Sequence, residues 1–308
     1  MRHFTDITDI SKEDMLSILN HTKKGKNILK EKGASVLRKS LENKTIAMIF
    51  EKPSTRTRVS FEVGINQLGG NAIILKASDL QLSRGESIPD TAKVLSRYVD
   101  GLVIRCYNHE KMLELSSSSS IPVINGLTDL THPCQVMADI FTIQEHFGSI
   151  ENKNIIWIGD GNNVANSWVH ASTLIDFNLT ICTPVSRSLE ETSIIKAKNL
   201  GASIHIENNP PIAMKDKDVV VTDTWISMGD ESKNLENTFK PFQVNKSLME
   251  LTSKESIFLH CLPAHRGHEV TNDIIDGEKS LVFDEAENRL HMQRSILEWC
   301  FSKNNNEK

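Results

Sequence analysis

The stretch IAMIFEKPSTRTRVSFEVG, residues 46–64, decides the fold. Five apolar residues, Ile46–Phe50, read as a buried strand. A turn containing Pro53 follows, and then a helical pattern. The turn is unusual in composition. Arg56 and Arg58 stand among Ser54, Thr55 and Thr57, so donors crowd the start of a helix whose first N–H groups lack internal partners. Such a strand–turn–helix is expected to hold an anion: hydroxyls and backbone N–H groups cradle it, and the Arg56 fork takes two of its oxygens. An N-cap serine followed by solvated arginines is the plainer alternative. The second arginine favours the anion site, as does a following helix with candidate core residues Val59, Phe61, Val63 and Leu68.

The same unit recurs outward along the chain. Further strands are expected at Ala72–Leu75, Leu102–Arg105, Pro122–Asn125, Ile155–Gly159, Leu179–Thr183, Ser203–Ile206, Val219–Thr222, Ile257–His260 and Leu281–Phe283. Helical patterns lie between many of them, including Thr91–Val99, Asn163–Asp176 and Leu189–Leu200. Alternating strands and helices imply parallel sheets covered by helices. Two such series predict an α/β protein of two domains, each a parallel sheet flanked by helices, joined by long helices. The expected boundaries are 1–147, 148–288 and a C-terminal helix, 289–308, returning to the first domain. Pro133–Phe147, opened by proline and closed by Gly148, is a joining helix. The serine run 116–120 and the polar segment 76–87 read as loops.

Composition narrows the class. The 308 residues are 39% apolar and 24% charged, with net charge −5, which argues against a nucleic-acid partner. No apolar stretch approaches the roughly 20 residues of a membrane helix, and the first residues carry no signal-peptide core. Five widely spread cysteines suit reduced thiols in a cytoplasm.

Several side chains fall at carboxyl ends of expected strands, where open α/β sheets bind ligands. Arg105 ends GLVIR, Asp223 follows VVVT, and HCLP (260–263) follows SIFL. His132 stands before Pro133 at a helix entry, with Gln135 one turn on. GDGNNV (159–164) has two glycines, but Val164 takes the third glycine position and the next strand ends in Thr183, so NAD is not expected. His260, Cys261, His265 and His268 match no common zinc spacing, so no metal is expected.

Taken in order, STRTR, HPCQ, DTWISMG (223–229) and HCLP resemble the transcarbamylases, and the last two resemble the ornithine carbamoyltransferase branch. The likeness spans nearly the whole chain and extends to SRGESIPDTAKVLSRYVDG (83–101) and FDEAENR (283–289). It departs at Cys134, which reads as a packing variation. The resemblance implies transfer of a carbamoyl group from carbamoyl phosphate to the δ-amine of L-ornithine, giving L-citrulline and phosphate without a cofactor. It implies Ser54, Thr55, Arg56, Thr57, Gln81, Arg105, His132, Gln135, Cys261, Leu262 and Arg289 at carbamoyl phosphate. Arg105, His132 and Cys261 meet the reacting centre. Asn163, Asp223, Ser227 and Met228 hold ornithine. It also implies a homotrimer with sites near subunit interfaces, and arginine biosynthesis in the cytoplasm. Two other readings remain. A different amine such as putrescine would leave Asn163 and Asp223 without purpose, and a non-catalytic relative would bind carbamoyl phosphate or serve only as a scaffold.

Overall fold

The computed structural model describes residues 2–33, 36–37, 39–51, 53–76, 80, 85–225 and 235–302. The chain divides into two units, Met1–Met137 with Arg289–Lys308, and Ala138–Asn288.

In the first unit, β1 (Thr45–Phe50), β2 (Asn71–Lys76), β3 (Gly101–Arg105) and β4 (Val123–Leu127) form a parallel sheet in the order β2-β1-β3-β4. The inner strands β1 and β3 are almost continuously buried, as strands covered on both faces should be. Their side chains meet Ala92, Met112 and Leu115 of the covering helices. The helices are α1 (Lys12–Lys32), α2 (Thr55–Gln67), α3 (Ile88–Leu95), α4 (His109–Ser118) and α5 (Pro133–Phe147). The division between units falls inside α5. Ser11 caps α1 by accepting from the Asp14 N–H, and Gly33, at φ 76°, ends it.

The second unit holds a five-stranded parallel sheet of β5 (Asn154–Ile158), β6 (Asn178–Cys182), β7 (Ser203–Ile206), β8 (Val219–Thr222) and β9 (Ile257–His260), ordered β7-β6-β5-β8-β9. Its core joins Ile156, Ile158, Val220 and Phe258 to Met214, Phe242, Val270 and Val282. α6 (Asn163–Ala171) and α7 (Glu191–Asn199) follow β5 and β6. Shorter helices are α8 (Pro210–Ala213), α9 (Leu235–Phe239), α10 (Lys246–Met249) and α11 (Asn272–Ile275). The last helix, α12 (Val282–Phe301), begins in this unit and ends in the first.

Three expectations need correction. Leu281–Phe283 is no strand: α12 starts at Val282, and only the Leu281 N–H bonds to the sheet, at the Phe258 carbonyl. An apolar triplet has no period, so it cannot announce which of the two it will join. Ser116–Ser118 extend α4, and the Ser117 hydroxyl donates back to the Glu114 carbonyl. Val59 and Val63, expected in the core, are 52% and 37% exposed on α2, whereas Phe61, Ile65 and Leu68 are buried.

Candidate functional site

A ligand crevice opens in a parallel sheet where strand order reverses, because the two connections leave toward opposite faces. In the first sheet that point lies between β1 and β3. The turn Ser54–Thr57 follows β1, and Arg105 ends β3. In the second sheet it lies between β5 and β8, where Asp160–Asn163 and Asp223 stand. Both motif-bearing turns therefore sit where the topology makes room for a ligand.

The turn after β1 lies among donors and positive charge. Ser54 is the N-cap of α2, yet its hydroxyl makes no capping bond. Arg58 turns away to Glu62, at 4.0 Å. Thr57 is buried, and its hydroxyl accepts from Arg105 Nη1 at 3.3 Å and from Arg289 Nη2 at 3.1 Å. Arg289 Nη1 also donates to the Gln135 side-chain oxygen, which turns the Gln135 amide nitrogen away from that guanidinium. His132 is 4% exposed. Its pKa is held well below the usual imidazole value, first by burial and then by the charges of Arg289, Arg105 and Arg56. A neutral imidazole among three guanidiniums keeps one ring N–H to donate and adds no charge.

Two local devices set this geometry. The register between β3 and β4 slips, with Ile104 opposite Asn125 but Arg105 opposite Leu127, so Gly126 is the extra residue of a bulge in β4 beside Arg105. A Cβ on Gly126 would lie 3.1 Å from the Ile104 carbonyl oxygen and 3.4 Å from Thr57 Cγ2. Beneath His132, Asn125 Nδ2 donates to the Thr131 hydroxyl at 3.0 Å, and the Cys134 thiol donates to the Asn125 carbonyl at 3.3 Å. Burial pushes that thiol up to about 12, so Cys134 packs as an inert group.

The loops after β8 and β9 carry the opposite charge. Asp223 Oδ1 accepts from the Thr224 N–H at 2.7 Å and the Cys261 thiol at 2.9 Å. Asp223 Oδ2 accepts from Asn162 Nδ2 at 2.8 Å. The Cys261 pKa is raised well above the ordinary thiol value, by burial first and then by the Asp223 charge and hydrogen bond. Cys261 is therefore a protonated donor. Next to it, His260 Nδ1 accepts the Leu262 N–H at 2.9 Å, which leaves Nε2 to donate to Glu269 at 3.2 Å. That brace holds Leu262 at φ 55°, in the left-handed region.

Asp223, His260 and Cys261 place three ligand atoms within 4.8 Å of one another, a grouping that sequence spacing did not reveal. Each is already hydrogen-bonded: both His260 nitrogens are engaged, and the Cys261 thiol is protonated. His265 and His268 are exposed.

Of the expected carbamoyl phosphate residues, Ser54, Thr55, Arg56, Thr57, Arg105, His132, Gln135 and Arg289 belong to the first unit. Cys261 and Leu262 belong to the second, with Asn163 and Asp223. Asn163 opens α6. Gln81, Ser227 and Met228 lie outside the described residues. Asn162, Gly126 and Asn125 were missed. Only Gly126 left a signal, a glycine inside an apolar strand pattern.

The carbamoyl-P binding domain of aspartate/ornithine carbamoyltransferase matches residues 2–145, and the Asp/Orn binding domain of that family matches residues 151–300. The ornithine carbamoyltransferase of Rhodopseudomonas palustris (strain BisA53) is 52% identical over 303 residues, 97% of each chain. Among solved structures, the ornithine carbamoyltransferase from Pyrococcus furiosus is 46% identical, covers 96% of each chain and superposes with a TM-score of 0.91. The anabolic enzyme from Campylobacter jejuni is 41% identical, with 96% of this chain and 98% of that one covered and a TM-score of 0.88.

Proposed function

The chain belongs to the aspartate/ornithine carbamoyltransferase family, and from that premise we infer that it transfers the carbamoyl group of carbamoyl phosphate to the δ-amine of L-ornithine, giving L-citrulline and phosphate. The observation that carries this reading is the convergence of Arg105 and Arg289 on the buried Thr57 hydroxyl, beside a neutral His132. A dianionic phosphate suits that cluster in charge and in donor geometry.

In this reading Ser54, Thr55, Arg56 and Thr57 bind the phosphate group. Arg105 spans phosphate and carbonyl oxygens. His132 and Gln135 donate to the carbamoyl group, and Arg289 orients Gln135. The ornithine amine attacks the carbonyl carbon, and negative charge grows on its oxygen. Arg105, His132 and Thr57 donate to that oxygen as it forms. The bond from carbon to the phosphate oxygen then breaks, the attacking nitrogen gives its extra proton to the departing phosphate, and the remaining charge of that phosphate is balanced by Arg56. Cys261 and the Leu262 carbonyl approach the reacting centre, and Gln81 reaches carbamoyl phosphate. Asp223 takes the α-ammonium of ornithine and Asn163 its α-carboxylate, with Ser227 and Met228 beside them. The attacking amine must be neutral, and its free pKa is near 10.4, about that of lysine, so turnover rises with pH above neutrality.

Three finer statements belong to the same proposal. The protein is a homotrimer: β2 is an edge strand with no buried residue, Ile73 is 45% exposed, and Val59 is 52% exposed on α2. Edge strands that apolar are normally covered, and sedimentation equilibrium would give three times 34.6 kDa. Its direction is biosynthetic, as the anabolic Campylobacter relative suggests. Its compartment is the cytoplasm, in keeping with five free cysteines. Among the described residues no helix is long and apolar enough to cross a membrane. A colorimetric citrulline assay on the purified chain tests the reaction. A ureido product should form with ornithine (citrulline) and not with putrescine (N-carbamoylputrescine), and no citrulline with ornithine and carbamoyl phosphate both present would overturn the reading.

A further inference from the structure

Asp223 can receive an ammonium usefully only if its carboxylate points one way. Both of its oxygens are held. Oδ1 takes the Thr224 N–H and the Cys261 thiol, which lie on its own loop and on the next strand's loop. Oδ2 takes Asn162 Nδ2 alone among the bonds described. Asn162 has no freedom to do otherwise. Its side-chain oxygen accepts the N–H groups of Val164 at 2.9 Å and Ala165 at 3.2 Å, as the N-cap of α6. The amide orientation is therefore settled by chemistry: oxygen toward the helix N–H groups, nitrogen toward the carboxylate.

The loop carrying Asn162 is itself pinned. Arg187 binds Asp160 through Nε at 2.8 Å and Nη2 at 3.1 Å. The Gly161 N–H donates to the Arg187 carbonyl at 2.9 Å. A Cβ on Gly161 would come within 2.5 Å of that oxygen, so glycine is what lets the 184–188 turn close on the loop.

We propose that Asn162 is a positioning residue for the amino-acid end of ornithine: it locks the Asp223 carboxylate to the N-terminus of α6. This rests on the ornithine reading of Asp223 given above. Adjacent residues of one turn then serve the two ends of the substrate, Asn163 toward the α-carboxylate and Asn162, through Asp223, toward the α-ammonium. One turn thereby fixes the spacing between the two charges the site must recognise, a requirement no simple diamine meets.

The test uses Asn162→Ser, Asp223→Asn and the double variant of the full-length protein. Serine is a good N-cap but too short to reach Asp223, so α6 and thermal stability should be kept. The expected result is an ornithine KM raised about tenfold in N162S, the scale of one charged hydrogen bond. The kcat should fall less, and carbamoyl phosphate affinity should not change. Because Asn162 acts through Asp223, adding N162S to D223N should raise KM little further. Equal loss of both substrates, or fully additive effects in the double variant, would make Asn162 architectural and overturn the proposal. If D223N raises KM and N162S does not, this inference alone fails. If D223N leaves ornithine KM unchanged, the ornithine reading falls and this inference with it.

Discussion

The two switch-point sites are the same device with opposite charge. Each stands at the carboxyl ends of parallel strands, where the order reverses, and each places a helix N-terminus beside a loop. In the first unit the end of β3 and α12 bring Arg105 and Arg289 onto one hydroxyl, and with Arg56 of α2 they surround a neutral imidazole with positive charge. In the second the loops gather three donors, from Asn162, Thr224 and Cys261, around one carboxylate. The fold supplies the crevice twice, and side chains alone make one cationic and the other anionic. The contrast also appears in protonation. Burial comes first in both, and then cations help hold His132 neutral while an anion helps hold Cys261 as a thiol.

The largest break in that contrast should come from Arg105→Ala. Removing a donor to the developing oxyanion costs about 10²–10³ in kcat, and single-turnover citrulline formation measures it. Gly126→Val should act on the same arginine from beneath. Its side chain would press on the Ile104 carbonyl and Thr57, at a cost of about 1–3 kcal/mol. Urea unfolding should register that loss together with a slower reaction. A smaller effect sharpens the anionic side: Asp223→Asn removes the charge that helps keep Cys261 protonated. Iodoacetamide should then alkylate Cys261 several-fold faster at pH 8, as judged by mass spectrometry.

The smallest effect is in the titration of His132. Its folded pKa lies below the ordinary 6.5, so the unfolded chain binds more protons in the window beneath that value. Stability should therefore be complete above about pH 6.5 and fall as pH drops through the window. Ring resonances in NMR should show His132 still neutral where exposed histidines are half protonated, and a bound phosphate dianion should move its pKa upward.

Much of this was legible because short-range pattern and ligand edge coincide in parallel sheets. Ile46–Phe50 and Val219–Thr222 announced inner strands by continuous apolar character, and Arg105, at the end of β3, and Asp223, just after β8, lie at the carboxyl edge where the sequence put them. Reading failed where a residue's role is set by distant partners. Leu281–Phe283 carries no period to tell helix from strand. Val59 and Val63 belong to a helical pattern, but which face of α2 meets the sheet depends on Leu290 and Arg294 packing against Gly64 from α12. Asn162 looks like an ordinary N-cap until Asp223, 61 residues away, is seen beside its amide nitrogen.

In the proposed function, anion binding and amino-acid binding reside in separate clusters of opposite charge. Calorimetric titration of carbamoyl phosphate into the wild type, Arg56→Ala and Asp223→Asn tests it most directly. R56A should bind roughly ten- to hundredfold more weakly, from loss of a charged fork to phosphate, and D223N should bind as the wild type does. Full affinity in R56A, or equal weakening in both variants, would contradict it.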